Sequence, residues 1–93
     1  LDAVWRNLKG WLHPDEAGRE SRLDASTREM IALAVSASNG CSYCINSHTR
    51  AAQSLGLESD GLGEVMAVIG LFNQMNKLAD GFQITPDIIP KLD

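Results

Sequence analysis

The chain has two cysteines and two histidines, and three of these four residues fall in one short run, Cys41-Ser42-Tyr43-Cys44-Ile45-Asn46-Ser47-His48. On a helix, residues three and four apart are surface neighbours, so Cys41, Cys44 and His48 form one stripe with Cys44 in the middle. One turn separates the two cysteines by roughly 5 to 6 Å, inside the range in which a disulfide closes without large strain. The spacing suits a pair that opens and closes in place, which is redox chemistry. Asn39-Gly40 just upstream is a chain break that sets Cys41 at or beside a helix N-terminus. There the unpaired N–H groups and the helix dipole favour a thiolate. His48 offers a neighbouring base to Cys44 instead. The two effects favour different thiols, and the spacing leaves open which is the more acidic.

Glu29 precedes the cysteines by less than one helix-turn-helix unit, so an antiparallel hairpin brings it toward the thiols as a general base or relay group. Ser26-Thr27-Arg28-Glu29 also fits a capping box, in which the glutamate only bonds the backbone N–H of the cap residue. Zinc is a further alternative: Cys41, Cys44 and His48 are acceptable ligands, with His13 or Glu29 as a fourth. Nothing in the spacing brings His13 near them. Beside Pro14 in a polar stretch, it reads as a solvated residue. Two cysteines in a reducing compartment suit a metal site or a cycling pair better than a permanent staple.

Four helices are expected to position these groups. Val4, Trp5, Leu8, Trp11 and Leu12 share one face of a helix over Asp2 to Leu12, weakened by Gly10. The segment from His13 to Arg22 is charged and broken by Pro14 and Gly18, as expected for a loop or lid. Asp24 or Ser26 can cap a second helix with Met30, Leu33, Ala34 and Ala37 inward, ending at Asn39-Gly40. The third carries the cysteine stripe through Ala51 and Ala52 to Leu55, with Gly56 as its left-handed stop. The fourth runs from Ser59 or Asp60 to Asp80, with Leu62, Val65, Met66, Ile69, Phe72 and Met75 or Leu78 buried and Gly81 as its stop. From Gln83 to Pro90 two prolines leave an extended tail whose isoleucines need cover. The methionines, Trp5 and Trp11 read as core or interface residues, not as a cofactor site. The fold class is all-α, a small bundle of about four helices.

Ninety-three residues form one domain, 1–93, of a size that buries only roughly 60 to 65 percent of its unfolded surface, so completion by a homo-oligomer is expected. A net charge of −4 without a basic run gives no electrostatic reason to bind nucleic acid or anionic lipid. No apolar segment reaches the roughly 18 to 20 residues of a membrane helix, and no signal peptide is visible, so a cytoplasmic setting is expected. The start at Leu1, without an initiator methionine, fits a processed or trimmed product.

Taken together, Glu29, Cys41-x-x-Cys44-x-x-x-His48, Ala51 or Ala52, and Gly56 resemble the core motif of the alkyl hydroperoxidase D-like proteins of the carboxymuconolactone decarboxylase superfamily. Leu71 to Asp80 is similar to that group's final core helix. The resemblance implies an all-helical, oligomeric thiol peroxidase that uses a hydroperoxide, a thiol or dithiol reductant and no cofactor or metal. It implies that Cys44 attacks the peroxide and Cys41 resolves the sulfenic acid. His48 would handle the proton, and Glu29 would complete a relay through Cys41 or a water. Tyr43 stands where some relatives carry a second histidine. It is left to donate a hydrogen bond to a peroxide oxygen or to pack on a neighbouring subunit. Competing implications are a cofactor-free decarboxylase of a lactone acid, which would not need the cysteine pair, and a non-catalytic redox-sensing or metal-binding oligomer.

Overall fold

The computed structural model describes residues 1–92, and among them it has four α-helices and no strand. These are α1 (Asp2–Leu12), α2 (Ala25–Asn39), α3 (Ser42–Ser54) and α4 (Ser59–Gly81). The all-α bundle and its order of elements are those expected from the periodicity.

α2 is the hub, packing most closely on α3, then on α4, and only lightly on α1. Its start is fixed by Asp24, whose carboxylate accepts from the Thr27 N–H at 2.7 Å. Its end is fixed by Gly40 at φ 73, a left-handed conformation that costs glycine nothing. The turn closes with the Cys41 N–H donating to the Ser36 carbonyl at 3.0 Å, and the chain reverses directly into α3. Where the two helices meet, Leu33 of α2 and Ala52 of α3 are fully buried. The alanine lets the helix backbones approach. Gly56, at φ 103, follows the last turn of α3 as expected.

α1 has its expected boundaries, but none of its residues is buried, and Trp5 and Trp11 are 57% and 64% exposed, so of the core or interface roles expected for them the core role falls away within this chain. A one-faced pattern reports that a helix has an apolar side, not that this chain supplies the cover. Cations lie over both rings instead: Lys9 Nζ is 5.6 Å from the Trp5 centroid and the Arg19 guanidinium 3.7 Å from that of Trp11. The connection that follows is tied down at two points. Pro14 is fully buried, and Arg28 of α2 donates through Nε to the Leu12 carbonyl at 3.2 Å and through Nη1 to Ser21 Oγ at 3.0 Å and the Leu23 carbonyl.

α4 is also corrected. Leu62, Val65 and Ile69 are half-buried, but Met66, Phe72, Met75 and Leu78 are exposed. Asn73 ties the helix to α2, its Nδ2 donating to Ser38 Oγ at 3.0 Å and to the Ile69 carbonyl at 2.9 Å. The helix continues through Gly81, so that glycine is not its stop. The left-handed position falls on Gln83, at φ 54, where the Ile84 N–H reaches back to the Ala79 carbonyl at 3.0 Å. The tail beyond is extended, with Ile84, Ile88 and Ile89 exposed.

Candidate active site

Cys41 is the N-cap of α3, in extended conformation, and its sulfur accepts from the Cys44 N–H at 3.3 Å. The two cysteines are joined as a disulfide with Cα atoms 5.3 Å apart, as the one-turn spacing requires. In this state neither sulfur is a thiolate ligand. No group of three or more His, Cys, Asp or Glu side chains is placed to hold a metal ion among the described residues.

His48 lies one turn further along α3, and the antiparallel hairpin sets it against Glu29 of α2, with Nδ1 2.8 Å from Oε2. The carboxylate is almost wholly buried, its side chain 6% exposed against 19% for the imidazole. When the carboxylate is ionised it can only accept, and Nδ1 is then the donor. That fixes the tautomer and leaves Nε2 as the free acceptor. An imidazole is thus oriented by a buried carboxyl group, an arrangement suited to taking up a proton from a defined direction.

Two expectations about Glu29 change. It is not the acid of a capping box, because the cap is Asp24, two residues before Ser26. Its contact with His48 is also direct, where the resemblance implied a route through Cys41 or a water. Tyr43 is 84% exposed, and its hydroxyl has no hydrogen bond among the described residues. His13 is exposed, as expected. It lines a hollow of about 370 Å³ that Glu29 also borders.

A larger cavity, about 810 Å³, opens between α1, the 13–24 connection and α2 and reaches His48. Arg19, Arg22 and Arg28 line it, and sequence reasoning singled out none of them.

The chain belongs to the carboxymuconolactone decarboxylase family, whose sequence model matches residues 7–87. Within that family it is similar to the alkylhydroperoxidase AhpD core from Rhodospirillum rubrum ATCC 11170, a crystal structure it matches with TM-score 0.81 and 43% sequence identity. That match covers 92% of this chain and 60% of the other. It is also similar to the uncharacterized protein YdfG of Bacillus subtilis (strain 168), at 42% identity over 49 residues, 53% of this chain and 33% of that one. The chain therefore spans about a third of YdfG and 60% of the Rhodospirillum chain. The fold and the Cys-x-x-Cys pair are those of an AhpD-like protein, from a family whose members are generally enzymes.

Proposed function

We propose that the protein is a thiol peroxidase that reduces hydroperoxides through the Cys41–Cys44 pair. The observation that carries this reading is the juxtaposition of a disulfide-forming pair with a histidine whose tautomer is set by a buried glutamate.

In the reduced protein, the Cys44 thiol gives its proton to His48 Nε2, and the thiolate attacks the peroxide oxygen. An S–O bond forms and the O–O bond breaks. The leaving alkoxide takes the proton from His48 and departs as an alcohol, leaving a sulfenic acid on Cys44. Cys41, as thiolate, attacks the sulfenic sulfur; the S–S bond forms, the S–O bond breaks, and the hydroxide leaves as water with the proton Cys41 gave up. An external thiol or dithiol then supplies two electrons and two protons to reopen the disulfide. Glu29 stabilises the transient imidazolium, and Tyr43, exposed within the motif, supplies a hydroxyl that can donate to a peroxide oxygen.

The N-cap position of Cys41 fits the resolving role: a sulfur that accepts a backbone N–H is stabilised as a thiolate, and a stabilised thiolate is also the better leaving group when the disulfide is reduced. The test is the reaction of pre-reduced, metal-free protein with one equivalent of an organic hydroperoxide, following peroxide loss and intact mass together. Rapid loss with a mass decrease of two hydrogens is expected. Slow loss with both thiols intact would sink the peroxidase reading. Cys44→Ser is expected to abolish consumption, whereas Cys41→Ser reacts once and stops at the sulfenic acid. Equal loss of that first reaction in both variants would contradict the assigned roles.

A further inference from the structure

The cavity of about 810 Å³ that reaches His48 is of the size that holds a small organic ligand. Val4, Leu8 and Trp11 of α1 line it together with Leu23 and Ile31, so its walls are largely apolar. Its rim is charged, carrying Arg19, Arg22 and Arg28 against a single carboxylate, Glu20, in a chain whose net charge is −4. The three cations differ in what they already hold. Arg28 is committed to the Leu12 and Leu23 carbonyls and Ser21 Oγ. The Arg19 guanidinium sits over the Trp11 ring, 3.7 Å from its centroid. Arg22 is exposed and has neither a carboxylate partner nor a hydrogen bond among the described residues. A planar guanidinium without a partner beside an apolar trough recognises a carboxylate bidentately.

We propose that this groove binds an amphipathic organic anion, an aliphatic carboxylate whose chain lies along Trp11 and Ile31 and whose head pairs with Arg22, assisted by Arg19. Because His48 is among the residues that line the groove, the inference rests on the peroxidase reading for its purpose: the substrate is a medium-chain carboxylic acid that bears its hydroperoxide away from the carboxylate. Shape and charge then separate this substrate from small neutral peroxides, which gain nothing from the apolar walls or from Arg22.

Binding is tested apart from turnover, with unreactive probes on the oxidised protein. Trp11 lines the groove whereas Trp5 borders a separate hollow, so a Trp5→Phe background isolates the useful fluorophore. Decanoate is expected to change Trp11 fluorescence with an affinity about tenfold or more above that of decanol, the margin of one charge-assisted hydrogen-bonded pair. Arg22→Gln is expected to erase that preference while decanol binding persists. Equal affinity for the two probes, binding of neither, or a preference that survives Arg22→Gln overturns the proposal and leaves the peroxidase reading untouched. With reduced protein, the kcat/KM for a hydroperoxydecanoate is expected to exceed that for its methyl ester by a similar factor. Selective decanoate binding by a protein that consumes neither hydroperoxide overturns the peroxidase reading, and with it the substrate role of the groove.

Discussion

Glu29 is the residue at which structure and chemistry are hardest to separate, because it is only 5% exposed and its partner is a titratable ring. Glu29→Gln keeps the shape and a hydrogen-bonding group but removes the charge that stabilises an imidazolium. The expected result is a fall of about 10²-fold in the rate of Cys44 oxidation, the low end of what positioned acid–base groups contribute, with the fold retained. Stopped-flow oxidation of the reduced variant measures it, and a wild-type rate would remove Glu29 from the mechanism. Glu29→Ala also strands the His48 Nδ1–H, at a cost of about 1–3 kcal/mol. Tyr43→Phe is expected to change turnover by less than about tenfold, since one neutral hydrogen bond is worth only about 0.5–1.5 kcal/mol. The cysteine stripe was legible because a three-and-four spacing translates directly into a helix face. Which partner Glu29 would choose was not, since spacing along one helix carries no information about the neighbour across the hairpin.

At the scale of elements, α2 and α3 form a unit whose ends are specified by single side chains. Asp24 has its carboxyl held below its ordinary value of 3.8, chiefly by the Thr27 backbone N–H, then by the Thr27 side chain, with Arg28 adding to this. A lowered acid contributes stability that is fully present above the unfolded value and is lost as pH falls through the folded one. The stability difference between the wild type and Asp24→Ala is therefore expected to be constant above about pH 5 and to shrink toward zero in acid, as read from urea midpoints at several pH values. A difference that grows on acidification would contradict the cap. Leu33→Ala, at a fully buried position, is expected to cost about 2–5 kcal/mol, a large share of the stability of so small a chain. The boundaries of these helices were readable because Asp24, Gly40 and Gly56 act locally. The stop at Gly81 was misread for the same reason: a glycine permits a left-handed turn, but the bond from Ile84 to Ala79 decides which residue occupies it.

The whole molecule exposes more than a self-sufficient chain of its mass should. Its accessible surface is 7833 Å², against about 5,300 Å² for a compact monomer of 10.1 kDa. Its radius of gyration is 15.9 Å where about 12 Å is usual. The excess, roughly 2,500 Å² per chain, is on the scale of an obligate interface. Along α4 and its cap, Val68, Leu71, Met75, Leu78 and Phe82 are all exposed at alternating intervals of three and four, the seam of a helix that packs on another helix. We propose a second copy of this chain as its occupant. Leu71→Glu is expected to shift the protein toward monomer in sedimentation velocity and to lower its stability. A wild type that is monomeric and stable at micromolar concentration would count against this. The sequence displayed the apolar faces of α1 and α4 plainly, but a single chain's periodicity does not distinguish an internal core from one shared between subunits.

The sulfur of Cys41 closes a bond with Cys44 and also holds the Cys44 N–H, in the first turn of the helix that follows. When the pair is reduced and Cys41 is a thiolate, that acceptor carries negative charge and binds the amide more tightly; when it is oxidised, the charge is gone. The Cys44 amide proton should therefore be a built-in meter of electron occupancy. In an amide-resolved NMR spectrum it is expected to lie downfield and to exchange more slowly in the reduced protein, whichever peroxide and whichever reductant drive the cycle.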